Sequence, residues 1–139
     1  KYKIKNMQSD CELVSKKNTI SFKWNLKFPI NSLSIMRGYL AINDDQKEDY
    51  LNIFFNAYWK DNLDLSIEKE FSKLLNVLNV EKSIFFEKIK QQSIKDDLKK
   101  FTSDAFEKEV FGAPTFIVNN KIFWGQDRLE YALEELSDS

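Results

Sequence analysis

Val110-Phe111-Gly112-Ala113-Pro114-Thr115-Phe116, answered after a short turn by Phe123-Trp124-Gly125-Gln126-Asp127-Arg128-Leu129, is the stretch on which the fold turns. Upstream, apolar residues recur at helical spacing; at Ala113 the period changes. Thr115-Phe116-Ile117-Val118 is β-branched and aromatic and reads as a strand. Asn119-Asn120 tolerates the positive φ angles of a two-residue hairpin turn, and Lys121-Ile122-Phe123-Trp124 returns. Gly112 is expected to stop the preceding helix in the left-handed conformation. Gly125 gives a tight bend, and a last helix follows with Leu129, Ala132, Leu133 and Leu136 inward.

Two groups here carry chemistry. The backbone before Pro114 can offer an open edge to an extended, peptide-like ligand, as in β-augmentation; a plain proline at a strand start is the alternative. The start of the last helix offers free N–H groups and partial positive charge to a carboxylate. Asp127 can hold an ammonium beside it, and Arg128 can add a fork to the same carboxylate. Together they suit an α-amino acid head. Ordinary capping by Asp127 and a solvated Arg128 are the competing reading.

Outward from that stretch the chain reads as helices. Residues 2–17 place Ile4, Met7, Cys11 and Val14 on one stripe, with Cys11 expected as a buried thiol. Residues 20–24 alternate and suggest a short extended segment. Pro29 keeps Phe28 out of a helix, and Asn31 or Ser32 can cap a helix over 33–42. Tyr50, Phe54, Ala57 and Tyr58 give the next helix an aromatic face that ends near Trp59. Ser66 and Asn79 are expected to cap two further helices. Ser93-Ile94-Lys95-Asp96 resembles a capping box for a helix carrying Ile94, Leu98, Phe101 and Ala105.

Composition narrows the chemistry. With 139 residues and 12 Phe there is enough apolar material for a core, and 3 Gly with 2 Pro favour helix over tight-turned β-structure. Charge is balanced, 21 Lys and Arg against 22 Asp and Glu, so nothing electrostatic points to nucleic acid or an anionic membrane. No apolar run is long enough to span a bilayer, and the basic start lacks the apolar core of a secretory signal. One Cys excludes an internal disulfide and a Cys-x-x-Cys pair, and the absence of His excludes a Ser-His triad and common zinc sites. This composition fits a reduced, cytoplasmic compartment. A start without Met suggests that something upstream is missing.

The pattern Phe-Gly-Ala-Pro-Thr-Phe, hairpin, Phe-Trp-Gly-Gln-Asp-Arg-Leu closely resembles the C-terminal signature of 2-hydroxychromene-2-carboxylate isomerases. These are relatives of kappa-class glutathione transferases in the thioredoxin-like superfamily. Phe28-Pro29-Ile30-Asn31-Ser32-Leu33 and the helix ending at Trp59 look like that family's helical insertion. The resemblance implies a predominantly helical α/β fold, thioredoxin-like with an inserted all-helical subdomain. It divides the chain into a leading segment (1–24), the helical subdomain (25–105) and a C-terminal thioredoxin-like part (106–139).

The resemblance further implies glutathione as cofactor. Ala113 would pair its backbone with it, Pro114 would be cis, and Asp127, Arg128 and Gln126 would receive its γ-glutamyl group. Lys1 falls near a glutathione-contacting lysine of kappa-class relatives, while Asn31 and Trp59 match positions bordering the substrate pocket. A helix cap and a core aromatic are the alternatives for those two. A small aromatic substrate is implied, and a homodimer is common in the family. The departure is at the start. The family opens with a strand, a helix bearing the active-site Ser and a second strand. None of that first β-α-β segment is in these residues, so no catalytic residue is assigned within them and the Ser is expected upstream. A kappa-type transferase, a thiol-disulfide oxidoreductase and a non-catalytic glutathione-binding module stay open beside the isomerase.

Overall fold

Spaced apolar residues and few breakers give a chain dominated by helix. The computed structural model describes residues 2–138. Its elements are α1 (Tyr2–Lys17), α2 (Leu33–Ala41), a 3-10 turn (Asp44–Gln46), α3 (Lys47–Trp59), α4 (Glu68–Val77), α5 (Lys82–Lys88) and α6 (Gln92–Glu107). Strands β1 (Thr115–Val118) and β2 (Lys121–Trp124), a 3-10 turn (Gln126–Arg128) and α7 (Leu129–Ser137) complete it. The predominantly helical α/β reading is thus borne out. Two compact units emerge, Lys1–Asp96 and Asp97–Ser139.

The first unit is built on aromatic packing. Tyr50 and Phe54 on α3, Phe71 and Leu75 on α4 and Phe85 on α5 are all buried. Tyr50 stacks on Phe54 with ring centroids 4.2 Å apart, and Phe54 meets Phe71 edge-on at 4.8 Å. Each such side chain contributes about 1.5–3 kcal/mol by leaving water. Segment 20–24 forms no strand; Lys23 N–H donates to the Trp59 carbonyl at 2.6 Å. Asn25 anchors the crossing. Its buried amide donates to the carbonyls of Tyr58 (2.9 Å) and Leu63 (3.1 Å), and its Oδ1 accepts from Lys27 N–H at 2.9 Å.

Cys11 is not buried as expected: it is only partly covered, and α1 buries none of its residues. Burial, then the flanking carboxylates of Asp10 and Glu12, still hold its thiol above its ordinary pKa.

Helix ends depart most from the sequence expectation. Ser66 does not cap α4; its N–H and hydroxyl both turn back to Asp64 Oδ1. Asn79 does not cap α5 but takes φ 55°, and Glu81 caps instead, accepting from Ile84 N–H at 2.8 Å. Ser93 lies inside α6, which starts at Gln92, so no capping box forms there. Gly112 does not end α6: Glu109 takes the left-handed conformation (φ 61°), and Val110 N–H returns to the Ala105 carbonyl at 3.0 Å.

In the second unit the hairpin forms as read. Strands β1 and β2 pair antiparallel with Thr115 opposite Trp124 and Val118 opposite Lys121. Asn119 and Asn120 take φ 50° and 61°, the positive values a tight primed turn demands. Helix α7 packs on this hairpin and buries Ala132. Leu129, Leu133 and Leu136, expected inward, are largely exposed. Two strands are too narrow to cover the whole stripe.

Candidate active site

Strand register brings the two ends of the diagnostic stretch together. Thr115 opposes Trp124, and just beyond that pair Gly125 N–H donates to the Pro114 carbonyl at 2.9 Å. The segment entering β1 and the 3-10 turn leaving β2 therefore share one end of the hairpin. Thr115 Oγ1 donates to the Gly112 carbonyl at 2.6 Å. The Trp124 indole lies against Gly112, where a Cβ would collide with it, and sits 5.1 Å from the Phe111 ring. Close approach, rather than positive φ, is what glycine supplies here. The Ala113–Pro114 peptide is cis, as is Phe28–Pro29.

Ala113 and Pro114 are exposed. Among the described residues, neither the N–H nor the C=O of Ala113 has a hydrogen-bond partner. This is a backbone edge open to an extended ligand. On the facing turn, Arg128 Nη1 pairs with Asp127 Oδ2 at 3.0 Å, both side chains more than half exposed. An exposed pair of this kind is held by at most about 1 kcal/mol, so an ammonium and a carboxylate can exchange into it. The Arg128 guanidinium also lies 5.7 Å from the Tyr131 ring centre. Gln126 is exposed beside them. The structure thus gathers Ala113, Pro114, Gln126, Asp127 and Arg128; Lys1 lies outside the described residues.

Trp59 stands in the first unit at the centre of an aromatic group. Phe22, Trp24, Phe28 and Tyr58 have ring centres 5.6, 5.6, 5.7 and 4.6 Å from it. It is thus a packing residue, and it also lines a cavity of about 370 Å³. Phe28, Met36, Tyr39, Phe54, Phe55 and Tyr58 share the wall. Such a volume falls within the roughly 300–1,000 Å³ common for small-molecule sites. Asn31 does not join it. Its Oδ1 accepts from Leu33 N–H at 3.1 Å, and the residue lines a separate, more polar concavity with Arg37, Ser66 and Lys90.

Sequence reasoning placed Tyr58 on the aromatic face of α3 without singling it out. Its hydroxyl is buried and has no hydrogen-bond partner among the described residues. Periodicity marks such a residue as core; it cannot show whether the oxygen finds a partner. Asn25 was missed as well, although a lone amide inside the aromatic run Phe22–Phe28 is the signal that could have found it.

Known proteins resemble this chain over nearly its whole length. A 2-hydroxychromene-2-carboxylate isomerase from Sphingobium xenophagum is 25% identical over 136 residues, covering 98% of this chain and 69% of the relative. One from Pseudomonas putida is 28% identical over 91 residues, 66% of this chain and 45% of the relative. A solved structure of a 2-hydroxychromene-2-carboxylate isomerase superposes with a TM-score of 0.84 at 22% identity, covering 99% of this chain and 67% of that one. The chain spans about two thirds of the length of the first relative and of the solved structure. The resemblance read from the 111–129 stretch is therefore borne out. The model of the DSBA-like thioredoxin domain matches residues 1–137, and the chain belongs to that family.

Proposed function

We propose that this chain is part of a glutathione-dependent isomerase that interconverts 2-hydroxychromene-2-carboxylate-type compounds and trans-o-hydroxybenzylidenepyruvate-type compounds. The observation that carries the reading is the Pro114–Gly125 hydrogen bond, which sets the open Ala113 edge beside the Asp127–Arg128 pair. Glutathione has the matching parts: a cysteinyl backbone for the edge and a zwitterionic γ-glutamyl head for the pair. Asp127 would take the ammonium, and Arg128 with Gln126 the carboxylate. The aromatic cavity bearing Trp59 supports a substrate with a planar aromatic ring. The names of the similar proteins support the same chemistry.

The two organic species are isomers, so the reaction needs no oxidant or reductant. The thiolate of glutathione would assist opening of the ring and be returned unchanged. Cys11 gives no support to thiol-disulfide exchange, because burial, then Asp10 and Glu12, push its thiol pKa up and disfavour the reactive thiolate. The remaining alternative, a module that binds glutathione without catalysis, is an outcome of the test.

Titration calorimetry of reduced glutathione into the intact protein, beside an Asp127→Ala/Arg128→Ala variant, tests the binding half. Saturable binding weakened by about 1–3 kcal/mol in the variant is expected, as for lost charge-assisted hydrogen bonds. Absence of binding to the folded protein overturns glutathione dependence. Binding without conversion of the chromene substrate reduces the protein to a binding module.

A further inference from the structure

We propose that the polar concavity framed by α2, α4 and α5 is a second binding site, which takes a small organic monocarboxylate with the Arg37 guanidinium as its anchor. It is a separate space from the aromatic cavity, with only Ile35 and Leu65 lining both. The inference goes beyond the proposed function and needs neither glutathione nor the chromene substrate.

Arg37 lies on α2 and lines this concavity, whose volume is about 510 Å³. Its side chain makes no hydrogen bond or ion pair among the described residues. Nε is sealed from solvent, whereas Nη1 and Nη2 are not closed off in that way. The stem is thus held by the protein while the end of the fork stays within reach of a ligand. A guanidinium that has lost water at one nitrogen without gaining a partner is costly. A carboxylate laid across the two outer nitrogens offsets that cost with parallel, charge-assisted bonds.

The other polar groups on the wall divide into committed and free. Lys90 pairs with Glu87 at 3.1 Å, and Glu68 with Lys82 at 3.2 Å. Ser66 Oγ donates to Asp64 Oδ1. Ser34, in the first turn of α2, has a hydroxyl without a partner among the described residues. Asn31 accepts from Leu33 N–H through Oδ1, which leaves its amide nitrogen free to donate. Because the two ion pairs neutralise themselves, Arg37 leaves one net positive charge. A single carboxylate balances it. A dianion such as a phosphate monoester would bring a second negative charge toward Glu68. The rest of the wall, Ile35, Leu65, Phe71, Phe86 and Ile89, is apolar and suits a hydrocarbon body.

Nitrogen-15 NMR titration of hexanoate, 1-hexanol and hexyl phosphate into the intact protein tests this. Hydrophobicity alone favours the alcohol, so a preference for the acid reports the charge. We expect hexanoate to shift the Arg37 Nε–H signal and the amides of residues 31–37 and 90 saturably. 1-Hexanol should bind about tenfold more weakly or worse, and hexyl phosphate more weakly than hexanoate. Arg37→Gln should weaken hexanoate by about tenfold or more. Ser34→Asp leaves the buried groups untouched, since Ser34 is exposed. An Asp three residues before Arg37 on the same helix lies within reach of its fork and should exclude hexanoate to a similar extent. Circular dichroism establishes that the variants fold; if Arg37→Gln does not, Ser34→Asp decides. No saturable shift at Arg37, no preference for the acid over the alcohol, tighter binding of the phosphate, or undiminished hexanoate binding in either folded variant overturns the inference. None of these outcomes bears on the proposed function, which the glutathione titration tests separately.

Discussion

Gly125 donates its backbone N–H to the carbonyl of Pro114 at 2.9 Å, one step beyond the Thr115–Trp124 pair. This bond extends the hairpin by a rung exactly where the chain stops being a strand on both sides. It holds the Ala113 edge and the Gln126–Arg128 turn at fixed separation, which a bidentate ligand needs.

Gly125 is the residue most sensitive to change in this arrangement. Its φ is 105°, outside the range of L side chains, and an added Cβ would stand 2.5 Å from Asp127 Oδ1. Gly125→Ala should destabilise the protein by about 1–3 kcal/mol and displace the Asp127 carboxylate. Denaturant unfolding and glutathione titration would check it; unchanged values for both would show that the turn relaxes freely.

Gly112→Val tests close approach rather than backbone freedom. A Cβ there collides with the Trp124 indole, so the ring must swing out and lose its contact with Phe111. Overpacking of this kind costs about 1–3 kcal/mol. A shifted tryptophan fluorescence maximum with intact helical dichroism is the expected signature.

Asn25→Leu should be among the most damaging substitutions in the first unit. The side chain is 1% exposed and satisfies two carbonyls and one N–H. Leucine would leave those buried groups unpaired, each costing about 1–3 kcal/mol where water cannot reach it. A fall in stability of only a few tenths of a kcal/mol in urea unfolding would contradict this account.

Tyr50 predicts a loss of stability in alkali. Burial raises its phenol pKa far above the ordinary value, which is about 10 in an unfolded chain. The folded state therefore keeps a proton that the unfolded state releases. Its contribution is fully present below the unfolded pKa and falls by about 1.4 kcal/mol per pH unit above it. Measured between pH 9 and 11.5, wild type should lose stability faster than Tyr50→Phe. Parallel pH profiles would refute the assignment.

The parts of this protein that follow from local chain chemistry were open to reading from sequence. The hairpin is one: β-branched residues favour β1, and Asn119-Asn120 tolerates the positive φ of the turn. The aromatic face of α3 is another, since Tyr50, Phe54, Ala57 and Tyr58 recur at helical spacing and are all buried. The resemblance carried by residues 111–129 belongs with these, because that stretch is contiguous.

Helix ends were not open in the same way. Ser66, Asn79, Ser93 and Gly112 are all competent terminators, yet α4 follows Ile67 without a side-chain cap, Glu81 caps α5, α6 already begins at Gln92, and Glu109 takes the left-handed conformation after α6. A cap is chosen by the path the backbone takes to its next packing partner, and neighbouring residues compete within a fraction of a kcal/mol to about 2 kcal/mol. Only the tertiary structure decided that Asn31 and Trp59 line different concavities, that Pro114 and Gly125 meet, and that of two buried tyrosine hydroxyls only that of Tyr58 lacks a partner among the described residues. Each depends on groups distant in the chain arriving within about 3 Å of one another, the range over which a hydrogen bond is made or lost.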